Sequence, residues 1–131
     1  MSSIGSFIAV VDDELPVRVM PGRLLRLAKY RVREYASGEE FLASLSTDLP
    51  LCAIVDLHMP GLSGFEVQSC IRAANLQVPV VFITGSDDAA LERAAHEAGV
   101  RNLLRKPFSS DELLEAIGGA IGSFGRNRMG G

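Results

Sequence analysis

Short apolar runs alternate with amphipathic stretches along the chain. The apolar runs are rich in β-branched residues, and most contain no polar side chain, as expected of strands buried on both faces. The stretches between them have the spacing of helices. The pattern predicts five helices in strict alternation with five strands, Phe7 to Val11, Val32 to Tyr35, Ala53 to Val55, Val80 to Ile83 and Asn102 to Leu104.

Three predicted helices begin with a Ser-x-x-Glu capping box, in which each side chain bonds the backbone N–H of the other residue. The pairs are Ser37 with Glu40, Ser63 with Glu66, and Ser109 with Glu112. The remaining two helices are expected from about Leu15 to Ala28 and from near Asp87 to Gly99.

Two segments interrupt the helical pattern. Pro21 removes a backbone hydrogen bond and Gly22 adds backbone freedom, so we predict a kink or a split in the first helix. From Gly118 onward glycine is so frequent that the last helix should fray. We therefore expect one domain over residues 1–121, and a flexible tail or the start of a linker over 122–131.

Strict alternation of strands and helices predicts an α/β fold, because right-handed crossovers place helices on both faces of a parallel sheet. The common order for a doubly wound, five-stranded sheet of the flavodoxin type is 2-1-3-4-5. Its switch point lies between strands 1 and 3. Ligands of such sheets bind at that point, beside the carboxyl ends of the strands.

Composition narrows the class of protein. With 131 residues, 47% of them apolar, the chain can bury one full core, and a net charge of −3 gives no support to direct nucleic-acid binding. Cys52 and Cys70 are interpreted as core residues in a reducing cytoplasm, not as a disulfide. Residues 1–6 lack the basic and apolar segments of a signal peptide or membrane span, so we expect a soluble intracellular protein.

Acidic residues follow two of the predicted strands. Asp12 and Asp13 come directly after the first strand, and Asp56 comes directly after the third. Each close pair of carboxylates would repel by about 4 kcal/mol at an effective dielectric of about 20, so a cation or protons must offset their charge. Oxygen ligands favour Mg²⁺, and one carboxylate could instead act as a nucleophile toward a phosphoryl group. Thr84 and Lys106 follow strands 4 and 5 and should face the same crevice.

These motifs closely resemble the CheY-like receiver domains of two-component response regulators over about residues 7–121. They are Asp12-Asp13, Asp56 in Val-Asp-Leu-His-Met-Pro-Gly-Leu-Ser-Gly, Thr84 in Phe-Ile-Thr-Gly, and Lys106 in Arg-Lys-Pro-Phe. The segments Tyr-Ala-Ser-Gly-Glu-Glu-Phe-Leu and Val-Phe-Ile-Thr-Gly are most similar to the FixJ-type subgroup.

The resemblance implies a bacterial signalling domain, not an enzyme, that takes a phosphoryl group on Asp56 from a sensor histidine kinase or a phosphotransfer protein. It implies Mg²⁺ held by Asp13, Asp56 and the backbone carbonyl of His58, with Asp12 orienting the metal through water. Lys106 would pair with the phosphoryl charge, and Thr84 would turn its hydroxyl toward a phosphoryl oxygen. It further implies a cis bond between Lys106 and Pro107, and a possible homodimer through helix 4, strand 5 and helix 5.

Other interpretations of the same residues stay open. Asp12 or Asp13 alone could cap the first helix, and Lys106 alone could be a solvated turn residue. Leu103 stands where the family usually has a gating aromatic ring. Two further functions are a phosphorylation-independent binding module of receiver shape and an aspartyl-phosphate phosphatase of the haloacid dehalogenase type, although the latter needs a second Asp where this chain has His58.

Overall fold

A computed structural model describes residues 7–59, 61–85, 89–97, 100 and 102–130, with the backbone alone for 15–19 and 123–130. It confirms the predicted alternation. The elements are β1 (Phe7–Val11), α1 (Leu15–Leu27), β2 (Arg31–Tyr35), α2 (Gly38–Ser44), β3 (Cys52–Asp56), α3 (Gly64–Ala73), β4 (Val80–Thr84), α4 (Ala89–Glu97), β5 (Leu103–Arg105) and α5 (Ser110–Gly130).

The five strands form one parallel sheet in the order β2-β1-β3-β4-β5, as predicted. β3 is central, with Val55 in register with Val11 of β1 and with Phe82 of β4. Because β1 and β3 are neighbours, the residues that follow them meet at the same edge of the sheet.

Two cores cover the two faces of the sheet. Along β1, Phe7, Ala9 and Val11 belong to one core, whereas Ile8 and Val10 belong to the other. Helices α2, α3 and α4 contribute to the first core, and α1 and α5 contribute to the second. The uninterrupted apolar runs in the sequence follow from this arrangement, since both sides of each central strand are buried.

The serines predicted to cap helices do so. Ser63 with Glu66 and Ser109 with Glu112 form both bonds of the capping box. At α2 the Ser37 hydroxyl accepts from the Glu40 N–H, but it also donates to the Glu40 carboxylate, so the second backbone bond of the box is replaced.

The predicted split of the first helix is wrong, because α1 is one helix that contains Pro21. Pro21 and Gly22 are both buried. A Cβ atom on Gly22 would lie 3.2 Å from a Glu34 carboxylate oxygen and 3.7 Å from Val32, both on β2. The missing side chain lets α1 pack closely on these β2 side chains, and the helix continues through the pair despite its low helix propensity.

The last helix also continues beyond the predicted point, since α5 extends from Ser110 to Gly130. Leu113, Ile117 and Ala120 bury its first half in the core, and glycine lowers helix propensity by only about 1 kcal/mol per residue. The backbone is helical as far as Gly130, and the flexible tail or linker expected for 122–131 stays a prediction. A domain boundary near residue 121 stays a prediction. No helix within the described ranges is long and apolar enough to cross a membrane.

Candidate functional site

The predicted site residues lie at the carboxyl ends of four adjacent strands. Asp12 and Asp13 follow β1, Asp56 ends β3, Thr84 ends β4, and Lys106 follows β5. Asp12, Asp56 and Thr84 are buried, Lys106 is partly exposed, and Asp13 is exposed. The crevice therefore has buried polar groups at its base and a solvated carboxylate at its rim.

Three carboxylates meet in this crevice. One oxygen from each of Asp12, Asp13 and Asp56 lies within 4.8 Å of the others. Backbone donors orient the two buried groups: Asp12 Oδ1 accepts from the N–H of Glu14 at 3.0 Å, and Asp56 Oδ1 accepts from the N–H of His58 at 2.8 Å. Carboxylate oxygens are hard ligands, of the kind that Mg²⁺ prefers.

Lys106 brings a positive charge to the buried end of the cluster. Its Nζ atom lies 3.0 Å from Asp56 Oδ2 and 3.6 Å from Asp12 Oδ2. The backbone N–H of Lys106 donates to the Thr84 carbonyl at 2.9 Å, which joins it to β4. The bond between Lys106 and Pro107 is cis, as predicted.

The single ammonium group of Lys106 does not neutralise the charge of the three carboxylates. Burial, together with the charge of Asp56, raises the pKa of Asp12 to about 6 against the opposing effects of the Glu14 N–H and Lys106. Burial acts to lower the pKa of Lys106, but the hydrogen bond and charge of Asp56, together with Asp12, outweigh it and the pKa is raised. The donor set therefore fits a divalent cation in its chemistry and in its charge.

Thr84 is fully buried, and its hydroxyl donates to the carbonyl of Gly85 at 3.4 Å. This bond is long, so the hydroxyl could exchange it for a stronger acceptor at modest cost. His58 contributes its backbone N–H to Asp56, a contact that the sequence did not indicate. The role of its carbonyl as a metal ligand stays a prediction.

Gly64, the first residue of α3, supports the loop after Asp56. A Cβ atom at this position would lie 2.9 Å from the Asp56 carbonyl oxygen and 3.0 Å from the Leu57 Cα atom. The Gly64 N–H donates to the Leu57 carbonyl at 3.3 Å. The signal in the sequence was a glycine directly after the capping Ser63, but nothing local shows which backbone approaches it.

An ion pair between Glu92 and Arg105, beside the crevice, was not predicted from the sequence. On the charged helix α4 His96 is exposed, whereas Glu92 is buried. Arg105 of β5 binds it through Nε at 2.7 Å and Nη2 at 2.6 Å, both to Glu92 Oε1. The spacing of Glu92 three residues before the buried Ala95 would have placed it on the inner face of the helix.

Comparison with known proteins identifies the family. Residues 8–118 match the family described as response regulator receiver domain, and the chain belongs to it. Nodulation protein W of Bradyrhizobium diazoefficiens is 33% identical over 116 residues, which are 88% of this chain and 51% of that protein. The transcriptional regulatory protein FixJ of Rhizobium meliloti is 32% identical over 110 residues, 84% of this chain and 54% of that protein.

Solved structures show the same fold. FixJ-N superposes with a TM-score of 0.79 at 30% identity, covering 93% of this chain and 96% of that one. A response regulator receiver protein from Burkholderia phymatum gives 0.78 at 40% identity, covering 90% and 96%. The chain spans about half the length of the curated relatives it matches.

Proposed function

We propose that this receiver domain accepts a phosphoryl group on Asp56 from a phosphohistidine and changes conformation to control an output. The observation that carries the proposal is the position of Asp56. Its carboxylate is buried at the end of the central strand, lies within 4.8 Å of two further carboxylates, and is bound by Lys106 at 3.0 Å. A purely structural carboxylate has no need of so much uncompensated negative charge beside it.

The transfer requires one bond to form and one to break. A carboxylate oxygen of Asp56 attacks phosphorus, and the bond between phosphorus and the donor imidazole nitrogen breaks with its electron pair staying on that nitrogen. The product is an acyl phosphate. Catalysis of such a step rests on in-line positioning and on offsetting charge, because the side chains do little covalent chemistry themselves.

Each neighbouring residue has a distinct part in this proposal. The His58 N–H fixes one Asp56 oxygen at 2.8 Å, which leaves the other oxygen with Lys106. When the phosphoryl group is added, the Lys106 ammonium leaves the Asp56 carboxylate oxygen and pairs with a phosphoryl oxygen. The Thr84 hydroxyl leaves the Gly85 carbonyl for a phosphoryl oxygen, and this movement begins the conformational change.

Asp13, Asp56 and the backbone carbonyl of His58 are the proposed ligands of Mg²⁺, with Asp12 acting through water. The ion would offset the charge of the carboxylates and of the incoming phosphoryl oxygens. Asp13 suits the role of an outer ligand because it is exposed, while the buried Asp12 is held by the Glu14 N–H.

The partners belong to the same proposal. A sensor histidine kinase or a phosphotransfer protein would supply the phosphoryl group, and a homodimer through α4, β5 and α5 is the candidate output assembly. Several relatives are named as transcriptional regulators and are about twice as long as the matched region, so control of transcription by a longer protein is the candidate output. Cys52 is buried as expected, whereas Cys70 is exposed and is not the core residue that was predicted; both are unpaired, which suits a cytoplasmic location.

Labelling with acetyl phosphate tests the assignment. The wild type should be phosphorylated with Mg²⁺ and not with EDTA. Asp56→Asn should remove the label, whereas Asp48→Asn, which changes an aspartate paired with Arg33 away from the crevice, should retain it. Label that persists in Asp56→Asn would show another acceptor. An unlabelled wild type in Mg²⁺ would favour the phosphorylation-independent binding module.

A further inference from the structure

Helix α4 has little apolar contact with the sheet. Among its residues only Glu92 and Ala95 are buried, and Leu91 packs half-buried against the first core. By contrast, α5 buries Leu113 and Ile117 completely. An alanine and part of a leucine provide little hydrophobic stabilisation, so polar contacts contribute much of what holds α4 in place.

The ion pair between Glu92 and Arg105 is the contact best placed to do this. The Glu92 side chain is 12% exposed and the Arg105 side chain is 66% exposed. Removing the arginine would leave a carboxylate mostly withdrawn from water, which costs far more than the loss of a surface pair. The pair therefore couples the position of α4 to the position of β5.

Arg105 also lies next to the residues that respond to a phosphoryl group. It is in register with Thr84 on β4 and directly precedes Lys106. We define the resting arrangement by two contacts, Lys106 Nζ with Asp56 and the Thr84 hydroxyl with the Gly85 carbonyl. A displacement of either residue acts on the strand segment that holds Arg105, and through it on Glu92.

We propose that the Glu92–Arg105 ion pair is a latch that holds α4 against β5 in the resting arrangement and opposes the switch to the phosphorylated one. The second half of this inference rests on the proposed function. A phosphoryl group shifts the conformational equilibrium only through its differential contacts, and it has to overcome the latch. By linkage, weakening the latch makes the phosphorylated arrangement easier to reach.

Three variants isolate the latch. Glu92→Gln keeps the shape of the side chain and removes its charge, and Arg105→Gln removes the cation. Arg105→Gln leaves the Glu92 carboxylate unpaired and should have the larger effect, whereas the double variant should behave like Glu92→Gln, because without the carboxylate the arginine has no partner to lose. Asp48→Asn is the matched control, since it breaks a surface pair at 3.3 Å with Arg33 of β2, at the opposite edge of the sheet. Circular dichroism confirms that each variant is folded.

The first measurement is amide hydrogen exchange over residues 89–97 without any phosphodonor. Loss of a charge-assisted hydrogen bond should speed exchange in α4 about tenfold in each latch variant, with no change in Asp48→Asn. Exchange equal to wild type in both single variants, or an equal increase in the control, would overturn the latch. This measurement does not depend on the proposed function.

The second measurement is the affinity for beryllofluoride with Mg²⁺, a mimic of the phosphoryl group. Latch variants should bind it several-fold more tightly than wild type, up to about the factor seen in exchange. Unchanged or weaker binding alongside faster exchange would show that the pair anchors α4 without opposing the switch. If wild type binds no beryllofluoride, the proposed function fails, and the exchange result still decides whether the pair holds α4.

Discussion

At the scale of single residues, the raised pKa of Asp12 reflects the electrostatic cost of burying one carboxylate beside another. Its pKa of about 6 is raised first by burial and then by the charge of Asp56. A group held in this state favours either a proton or a cation nearby. The same environment that would recruit Mg²⁺ therefore destabilises the protein when the cation is absent at neutral pH.

The stability of the metal-free protein should report this directly. The folded pKa of Asp12, about 6, lies above its ordinary value of 3.8, so the folded state binds a proton more readily than the unfolded state. This group's contribution to stability is then greatest below about pH 4, and it falls by up to about 3 kcal/mol as the pH rises to about 7.

Urea unfolding in EDTA between pH 4 and pH 7 checks this expectation. Asp12→Asn cannot ionise, so its stability should decline less over the interval and should exceed that of wild type at pH 7. Parallel declines in the two proteins would contradict the assignment of the shift to Asp12.

At the scale of elements, the close approach of α3 to the backbone at the end of β3 positions Asp56. Gly64 lets the first turn of α3 contact the backbone at Asp56 and Leu57, and the capping box of Ser63 and Glu66 fixes where that helix begins. At Gly22 of α1 a Cβ atom would have only side-chain atoms of Glu34, Arg26 and Val32 as its nearest contacts, at 3.2 to 3.7 Å, so the packing on β2 is less strict. A side chain at Gly64, by contrast, would collide with the backbone that carries Asp56.

Gly64→Ala should destabilise the fold by about 1–3 kcal/mol, because the added methyl meets backbone that cannot move without shifting Asp56. It should also slow phosphorylation by acetyl phosphate. Gly118→Ala is the matched control in α5, where a Cβ atom meets nothing within 4 Å. It should leave the free energy of unfolding unchanged or raise it by up to about 1 kcal/mol. Urea denaturation measures both. Equal stability in the two variants would disprove the role given to Gly64.

The residues at which helices begin could be predicted from the sequence more securely than how far each helix continues. Capping serines are local signals, and all three lie where they were expected. The continuation of α1 through Pro21 and of α5 past Gly118 could not be predicted in this way. The packing of Gly22 on β2 and the burial of Ile117 outweigh local propensity there, and both depend on residues distant in the sequence.

At the scale of the whole molecule, the topology explains why the site could be found and the latch could not. Asp56 and Lys106 are 50 residues apart in the sequence. Both lie at the carboxyl ends of strands in one parallel sheet, and all of these ends lie at the same edge of the sheet. Glu92 and Arg105 meet through the docking of α4 on β5. No repeat or strand-end rule predicts that contact, and a charged helix is ordinarily solvated.

The switch should depend on the Thr84 hydroxyl. Thr84→Ala should still accept phosphate on Asp56, since the nucleophile and its cation partners are unchanged. Its amide exchange over residues 89–97 and 102–105 should respond to beryllofluoride several-fold less than that of wild type, because the differential contact is lost. Thr84→Ser keeps the hydroxyl and should respond like wild type. An undiminished response in Thr84→Ala would remove this residue from the switch.

The identity of the phosphorylated residue tests most directly whether Asp56 is the phosphoryl acceptor. Wild-type protein is treated with acetyl phosphate and Mg²⁺, the acyl phosphate is reduced with borohydride, and the chain is sequenced by mass spectrometry. Reduction converts a phosphorylated aspartate to homoserine, and we predict homoserine at position 56 and at no other aspartate. Homoserine at Asp12 or Asp13, or a protein without any homoserine, would contradict the assignment of Asp56 as the phosphoryl acceptor.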